Sequence, residues 1–469
     1  MSNTEPVLAL SADTSTKKSK VLAWAFWNWG IEPFHSVIVT FVFAVYLTSS
    51  YFVTNGDSNG PTQQLTVATT IGGIVIALVA PVMGQTADRR GTLVRNLRWL
   101  TWGIAALSAA LFFVAPDPSY LLLGLTLLVV AMILAEFAAV NYNALIERVA
   151  NQKNVGKVSG FGWGTGYAGG IVALVIVLFV FVDPPVNFLN IPDTATGIRL
   201  AMIMCGVWAA VFTIPLFVSM RDRPPTGSVE NLGILGSYRA LGRSIVHIWR
   251  TQRNTAMFLI SAAIFRDGLA AVFSFGAILA SVSYGFSTAE VIMFGLAANL
   301  IGAVITMLFG LLDDYIGPKA VIVICLCVLI VGAVLVFALH DPAYAIQEGA
   351  AGYDAEVAAK GHLIFWTLGL MVSSVCGPVQ AAGRSFLARE IPDGHSGEIF
   401  GLYTTTGRVI SFFSPALFGL MTVIGAVATD SNATQHWGLL GIATILIVGL
   451  IFLLPVKSPQ HLRKDVDLL

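Results

Sequence analysis

Gly84-Gln-Thr-Ala-Asp88-Arg89-Arg90-Gly91 lies between two long apolar runs. Its glycines permit close backbone approach and a sharp change of direction. Asp88, Arg89 and Arg90 are costly in hydrocarbon, so the stretch belongs in water beside a membrane. The spacing predicts a tight polar turn. A second copy stands far downstream, Gly310-Leu-Leu-Asp313-Asp314-Tyr-Ile-Gly317-Pro-Lys319. Gly84, Asp88 and Gly91 match Gly310, Asp314 and Gly317 at identical spacing. Each copy follows the second apolar run of its half, and the pair predicts a duplicated membrane domain.

The composition leads the same way. The chain has 469 residues, 56% of them hydrophobic and only 11% charged, against about 25% charged in soluble domains. It reads as a polytopic membrane protein. The formal net charge is zero, so no bulk field recruits nucleic acid. Cys205, Cys325, Cys327 and Cys376 all fall in apolar runs, which argues against a disulfide framework or a zinc site and for core filler.

A helical span needs about 20 apolar residues. Twelve runs meet that length: 21–51, 64–84, 97–115, 119–146, 158–182, 198–220, 255–282, 288–312, 319–340, 362–387, 399–427 and 436–456. Nearly all of the 26 lysines and arginines lie in the even-numbered connections and the tails. Lys360 and Arg199 are on the opposite side, and Arg266 and Arg408 fall inside spans. That bias puts both termini in the cytoplasm.

The predicted organisation is a cytoplasmic tail (1–20), a six-helix bundle (21–220), a cytoplasmic linker (221–254), a second bundle (255–456) and a second tail (457–469). Within the linker, Tyr238 to Arg253 is amphipathic and fits a helix on the membrane surface or a solvated linker helix.

The halves repeat beyond the two turns. At one fixed offset Arg148 matches Arg389, Gly156 matches Gly397, Gly160 matches Gly401 and Gly166 matches Gly407. Trp27-Asn28-Trp29-Gly30 resembles Phe265-Arg266-Asp267-Gly268. Two equivalent all-α bundles make a path between them geometrically natural.

This architecture resembles the major facilitator superfamily. One branch matches further: Phe26-Trp-Asn-Trp-Gly30 with Thr40-Phe-Val-Phe43, Tyr142-Asn-Ala-Leu145, and the glycine-rich stretch Gly156 to Gly170. So do Arg266-Asp-Gly268, Gln380-Ala-Ala-Gly-Arg-Ser-Phe-Leu-Ala-Arg389, Phe400-Gly-Leu-Tyr403 and Ser411-Phe-Phe-Ser-Pro415. The chain is similar there to the autophagy-related vacuolar effluxers and their bacterial "unknown major facilitator" members. The resemblance implies a secondary transporter working by alternating access, with amino-acid export associated with the vacuolar members. Many members carry aspartate at the place of Asn28, a small residue at Glu32 and asparagine at Arg266, so the acidic group of helix 1 has moved and helix 7 has gained a cation.

Glu32, Glu136, Arg266, Asp267 and Arg408 lie roughly 15–20 Å from a cytoplasmic helix end, near the middle of a ~30 Å hydrocarbon layer. Each needs a partner or a wet cavity. In the functional reading Arg266 and Arg408 hold a substrate carboxylate or phosphate through their planar donor fork. Glu32, Asp267, Glu136 and His35 are then the proton-coupling candidates, since a carboxylate in apolar surroundings can exchange protons near neutrality. In the structural reading Glu32 pairs with Arg266 and Glu136 with Arg408. Trp27, Asn28, Gln380 and Tyr403 are candidates for lining a substrate pocket. Trp24 and Trp437 read as interfacial anchors. The glycines Gly162, Gly166 and Gly170 share a helix face, suited to a sliding contact or to tight packing.

The first functional reading is a proton-coupled transporter of a small polar or anionic metabolite. The second is a lipid or amphiphile translocator, and the third a membrane sensor without transport. An enzyme is not indicated, because no phosphate-cradling loop, metal-ligand cluster or nucleophile–base pair is present. The expected partners are a small-molecule substrate, protons and the bilayer, with no cofactor, metal or nucleic acid, in a monomer of the cell membrane.

Overall fold

The computed structural model describes residues 10, 17–53, 60–182, 184–187, 189–224, 234–286, 288–346, 352–392, 394–430 and 434–459. Most of both predicted tails lies outside the described residues. Within them the chain is helical, with no strand. This follows from the solvent, since a helix satisfies every backbone group internally and lipid offers no alternative partner.

The helices of the first half are α1 (Lys18–Pro33), continued by a π-helix over Phe34–Phe41, then α2 (Phe43–Leu47), α3 (Gly60–Arg90), α4 (Leu93–Ala110), α5 (Leu121–Ala144), α6 (Val155–Ile176) and α7 (Thr194–Ser219). The linker helix is α8 (Ile234–Thr251). The second half holds α9 (Arg253–Ile278), α10 (Thr288–Ile316), α11 (Pro318–Ala338), α12 (Ala355–Glu390), α13 (Ser396–Ile410), α14 (Phe413–Thr429) and α15 (Gly438–Leu453).

Among the described residues, eleven helical segments are long and apolar enough to cross a membrane, α13 and α14 counting as one of them. The remaining predicted run, 97–115, corresponds to α4. That helix carries Arg95 and Arg98 in its first turns, which lowers its apolarity.

The chain divides into two compact units. One comprises 1–153, 165–243 and 391–405; the other 154–164, 244–390 and 406–469. Each unit therefore holds a short helical piece from the opposite half of the sequence: the start of α13 in the first, the start of α6 in the second.

The first unit is centred on aromatic stacking. Tyr142 lies between Trp24 (centroids 4.6 Å apart) and Trp27 (4.2 Å). The Trp27 indole N–H donates to Thr101 Oγ1 at 2.9 Å, and that of Trp24 to the Tyr142 carbonyl at 3.2 Å. Trp24 is thus fully buried in protein rather than an interfacial anchor, because the ring finds both a stacking partner and an acceptor inside. The second unit stacks Phe258 on Phe386 at 3.8 Å and Phe275 on Phe418 at 3.9 Å. All four cysteines are free. Cys205, Cys325 and Cys376 are buried, whereas Cys327 is exposed and fills no core.

Prolines inside spans leave carbonyls without a donor, and at two of them a side chain supplies one. Pro33 frees the carbonyl of Trp29, which accepts from the Trp208 indole N–H at 3.1 Å. Pro81 frees that of Ala77, which accepts from the Thr405 hydroxyl at 3.1 Å. A carbonyl buried in lipid without such a donor would cost several kcal/mol.

Candidate functional site

The opening motif is not a turn over its whole length. Residues 84–90 continue α3, and only Gly91 leaves the helix, with φ +65°. Likewise 310–316 belong to α10, and Gly317 has φ +93°. The terminal glycines make the turns because these φ values are strained for any residue with a Cβ. The helices persist because their last polar residues find partners in neighbouring helices.

Asp88 is buried against the N-terminus of α13. Its carboxylate accepts the backbone N–H groups of Gly397 at 2.9 Å and Glu398 at 2.8 Å. Asp314 does the same for α6, accepting from Gly156 at 2.8 Å and Lys157 at 2.8 Å. Each carboxylate satisfies two orphan donors and meets the positive end of a helix dipole.

The first glycines of the motifs explain the closeness. A Cβ at Gly397 would fall 2.7 Å from the Gly84 carbonyl oxygen, and one at Gly401 2.7 Å from the Cα of Pro81. In the other unit a Cβ at Gly310 would fall 2.8 Å from the Gly156 carbonyl oxygen, and one at Gly160 2.9 Å from the Cα of Gly310. The residues equated by the sequence repeat thus occupy equivalent places in the two units.

The charges around these contacts are not equivalent. Beside Asp88 stand Glu147, which accepts from the Ser396 hydroxyl and pairs with Arg223 at 3.2 Å, and Glu398, which accepts from Gln85 at 3.0 Å. Gln85 in turn accepts from Arg89 at 2.9 Å. Beside Asp314 stands Asp313, and Arg389 bridges the two at 2.6 and 2.8 Å. Sequence reasoning did not single out Glu147, Glu398, Asp313 or Arg389 as parts of these clusters. Asp313 and Glu398 each stand next to a matched residue, Asp314 and Gly397, and Glu147 stands next to Arg148, which the repeat matches to Arg389; that adjacency was the available signal.

A second pair of equivalent places lies deeper. Asn28 packs on Gly166, where a Cβ would sit 2.8 Å from its Nδ2. Arg266 packs on Gly407, where a Cβ would sit 3.3 Å from its guanidinium nitrogen. The glycine face of α6 is therefore divided. Gly166 and Gly170 make room for Asn28 and Glu32, with a Cβ at Gly170 3.0 Å from Glu32 Cγ, while Gly160 and Gly164 face α10.

Glu32 stands where α1 gives way to the π-helix, a backbone form enriched at functional sites. Among the described residues its carboxylate makes no ion pair or hydrogen bond.

In the second unit the 34-residue span 396–429 is interrupted between α13 and α14. Arg408 occupies the last turn of α13, where the dipole favours a cation. Asp267 accepts the Ser414 N–H at 2.8 Å and so caps the start of α14.

The other candidates separate. Trp27 is buried in the first unit, stacked on Tyr142. Tyr403 is buried on α13, and Gln380 is half-buried on α12. Glu136 and His35 are half-buried in the first unit, on α5 and on the π-helix.

A family model described as vacuole effluxer Atg22 like matches residues 146–465, and one described as Major Facilitator Superfamily matches 4–174. The chain belongs to the vacuole effluxer Atg22-like family of major facilitator transporters. These are membrane transporters and not enzymes.

An uncharacterized MFS-type transporter, YxiO of Bacillus subtilis, is 24% identical over 446 residues, covering 95% of this chain and 96% of the relative. Autophagy-related protein 22-1 of Penicillium rubens is 24% identical over 321 residues; the match spans 66% of this chain and 49% of that longer protein. The fold is that of a bacterial homologue of the iron transporter ferroportin (TM-score 0.64, 15% identity, 93% and 98% of the two chains). The proton:xylose symporter XylE shares it as well (TM-score 0.65, 14% identity, 94% and 96%).

Proposed function

We propose that this transporter moves a small polar or anionic metabolite, coupled to protons, by alternating access. The observation that carries the reading is the break of the span 396–429, with Arg408 at the end of one half-helix and Arg266 packed against its Gly407. Interrupted helices bind charged substrates in transporters because their ends carry partial charges and unsatisfied backbone groups. Arginine presents a rigid donor fork that suits a carboxylate. The two capped helix ends, Asp88 on α13 and Asp314 on α6, are the cytoplasmic gate. Glu32 is the proton carrier, whereas Asp267 serves as a cap. Amino acids are the first substrate class to test.

The test is a thermal-shift screen of the purified protein against amino acids, organic acids and sugars. A ligand at about a hundred times its Kd stabilises by about 2.7 kcal/mol. A carboxylate-bearing compound is expected to raise Tm, and Arg266→Gln and Arg408→Gln to remove the response. A response confined to uncharged compounds and untouched by both variants would refute the assignment of the arginines.

The two six-helix bundles, the cytoplasmic linker and a cell-membrane location with both termini inside complete the reading. In a background lacking the native cysteines, Val186→Cys should react with an impermeant thiol reagent in intact cells, and His247→Cys should not. Labelling of His247→Cys would reverse the topology.

One feature favours the amphiphile alternative. An apolar groove of about 430 Å³ is lined by Phe181, Leu200, Met204, Val207, Trp208 and Phe212. A fluorescent-lipid translocation assay in proteoliposomes separates the two readings, with no movement expected.

A further inference from the structure

We propose that α8 is a binding surface for anionic phospholipid, lying in the headgroup layer with its arginines on lipid phosphates. At about 100° per residue, its residues fall into three adjacent strips. Leu241 and Ile248 form one edge, and both are buried. Next come Ile245, Tyr238 and Trp249, all of them large, with 46%, 39% and 48% of their surface exposed. Val246, 48% exposed, follows. Arg239, Arg250 and Arg243, all exposed, complete the turn on the far side of Val246. The apolar strip that remains uncovered thus lies between the edge buried in protein and the arginine edge.

An exposed apolar strip bordered by cations fits the boundary between acyl chains and headgroups. There the rings and aliphatic side chains sit in the apolar layer and the guanidinium groups reach the phosphates. No acidic residue occurs between Ile234 and Arg253, so nothing in the segment neutralises the arginines locally or repels a phosphate.

A separate observation sets the level of the helix. The Tyr238 hydroxyl donates to the Leu78 carbonyl at 3.2 Å, within the first unit. Leu78 belongs to the membrane-spanning part of α3, and its side chain is exposed. A helix held to that carbonyl lies at the bilayer and not free in the cytosol. The charge of the surface then selects anionic over zwitterionic lipid, since cations beside a membrane are attracted by anionic headgroups.

The experiment uses the full-length purified protein in detergent. Phosphatidylglycerol and phosphatidylcholine are titrated while retained lipid is counted by native mass spectrometry and Tm is followed. Phosphatidylglycerol should be retained preferentially and should raise Tm further. Each of Arg239→Gln, Arg243→Gln and Arg250→Gln should lower the preference about fivefold. Trp249→Gln should weaken retention of both lipids together, since it removes the apolar anchor and leaves the charge. Soluble glycerol phosphate should leave Tm unchanged. Equal retention of the two lipids, or an undiminished preference in the triple arginine variant, would overturn the proposal and leave the arginines to a protein partner. An effect of glycerol phosphate equal to that of the lipid would also overturn it, in favour of a soluble phosphate site.

Discussion

Asp88→Asn is expected to reduce transport to a few per cent of normal while leaving membrane insertion and expression intact. The Asp88 carboxylate accepts two backbone N–H groups at the start of α13, at 2.9 and 2.8 Å. Hydrogen bonds to a charged group contribute about 1.5–3 kcal/mol each. Asparagine keeps one acceptor oxygen and turns an N–H₂ donor toward the other backbone donor. Losing about 3 kcal/mol from one state of an alternating cycle shifts its population about a hundredfold.

Asp314→Asn is the informative comparison. It likewise leaves one acceptor for the two N–H groups of α6, but Arg389 keeps Asp313 at 2.6 Å. Its effect should therefore be smaller. The measurement is substrate flux in proteoliposomes, once a ligand is in hand, with cysteine accessibility at the cytoplasmic helix ends as a substrate-independent readout. Normal flux and normal accessibility in Asp88→Asn would remove the gate from that residue.

Glu32→Gln is expected to abolish proton movement coupled to substrate while leaving substrate binding in place. Glu32 sits in the last turn of α1, just before the π-helix, in the space left by Gly166 and Gly170. Glutamine has nearly the same shape and fills that space equally well, but it cannot take up a proton. If Glu32 only filled a gap, the exchange would be nearly silent. If it carries the proton, a pH-sensitive dye inside proteoliposomes should report no substrate-dependent acidification or alkalinisation, at least about tenfold below normal. The thermal-shift response to substrate should persist. Proton movement at the normal rate in Glu32→Gln would falsify the assignment and transfer the search to Glu136 and His35.

Much of this protein was determined by sequence alone, for a local physical reason. Hydrocarbon about 30 Å thick admits only long apolar helices, so composition and run length were enough for the class. The repeat was legible because equivalent backbone contacts demand glycine at equivalent places, and Gly84, Gly156 and Gly160 recur as Gly310, Gly397 and Gly401.

The tertiary structure decided what depends on residues far apart in the chain. The polar stretch 84–90 stays helical because α13 supplies donors to Asp88. Trp27 is a core residue because Tyr142 and Thr101 meet it from other helices. Asp267 looks from its neighbours like a midplane charge in search of a proton. Only the break before α14, whose first N–H groups need an acceptor, turns it into a cap. A charge in a span can be read from sequence as costly. What offsets that cost is a partner brought by folding, and sequence spacing within one helix does not contain it.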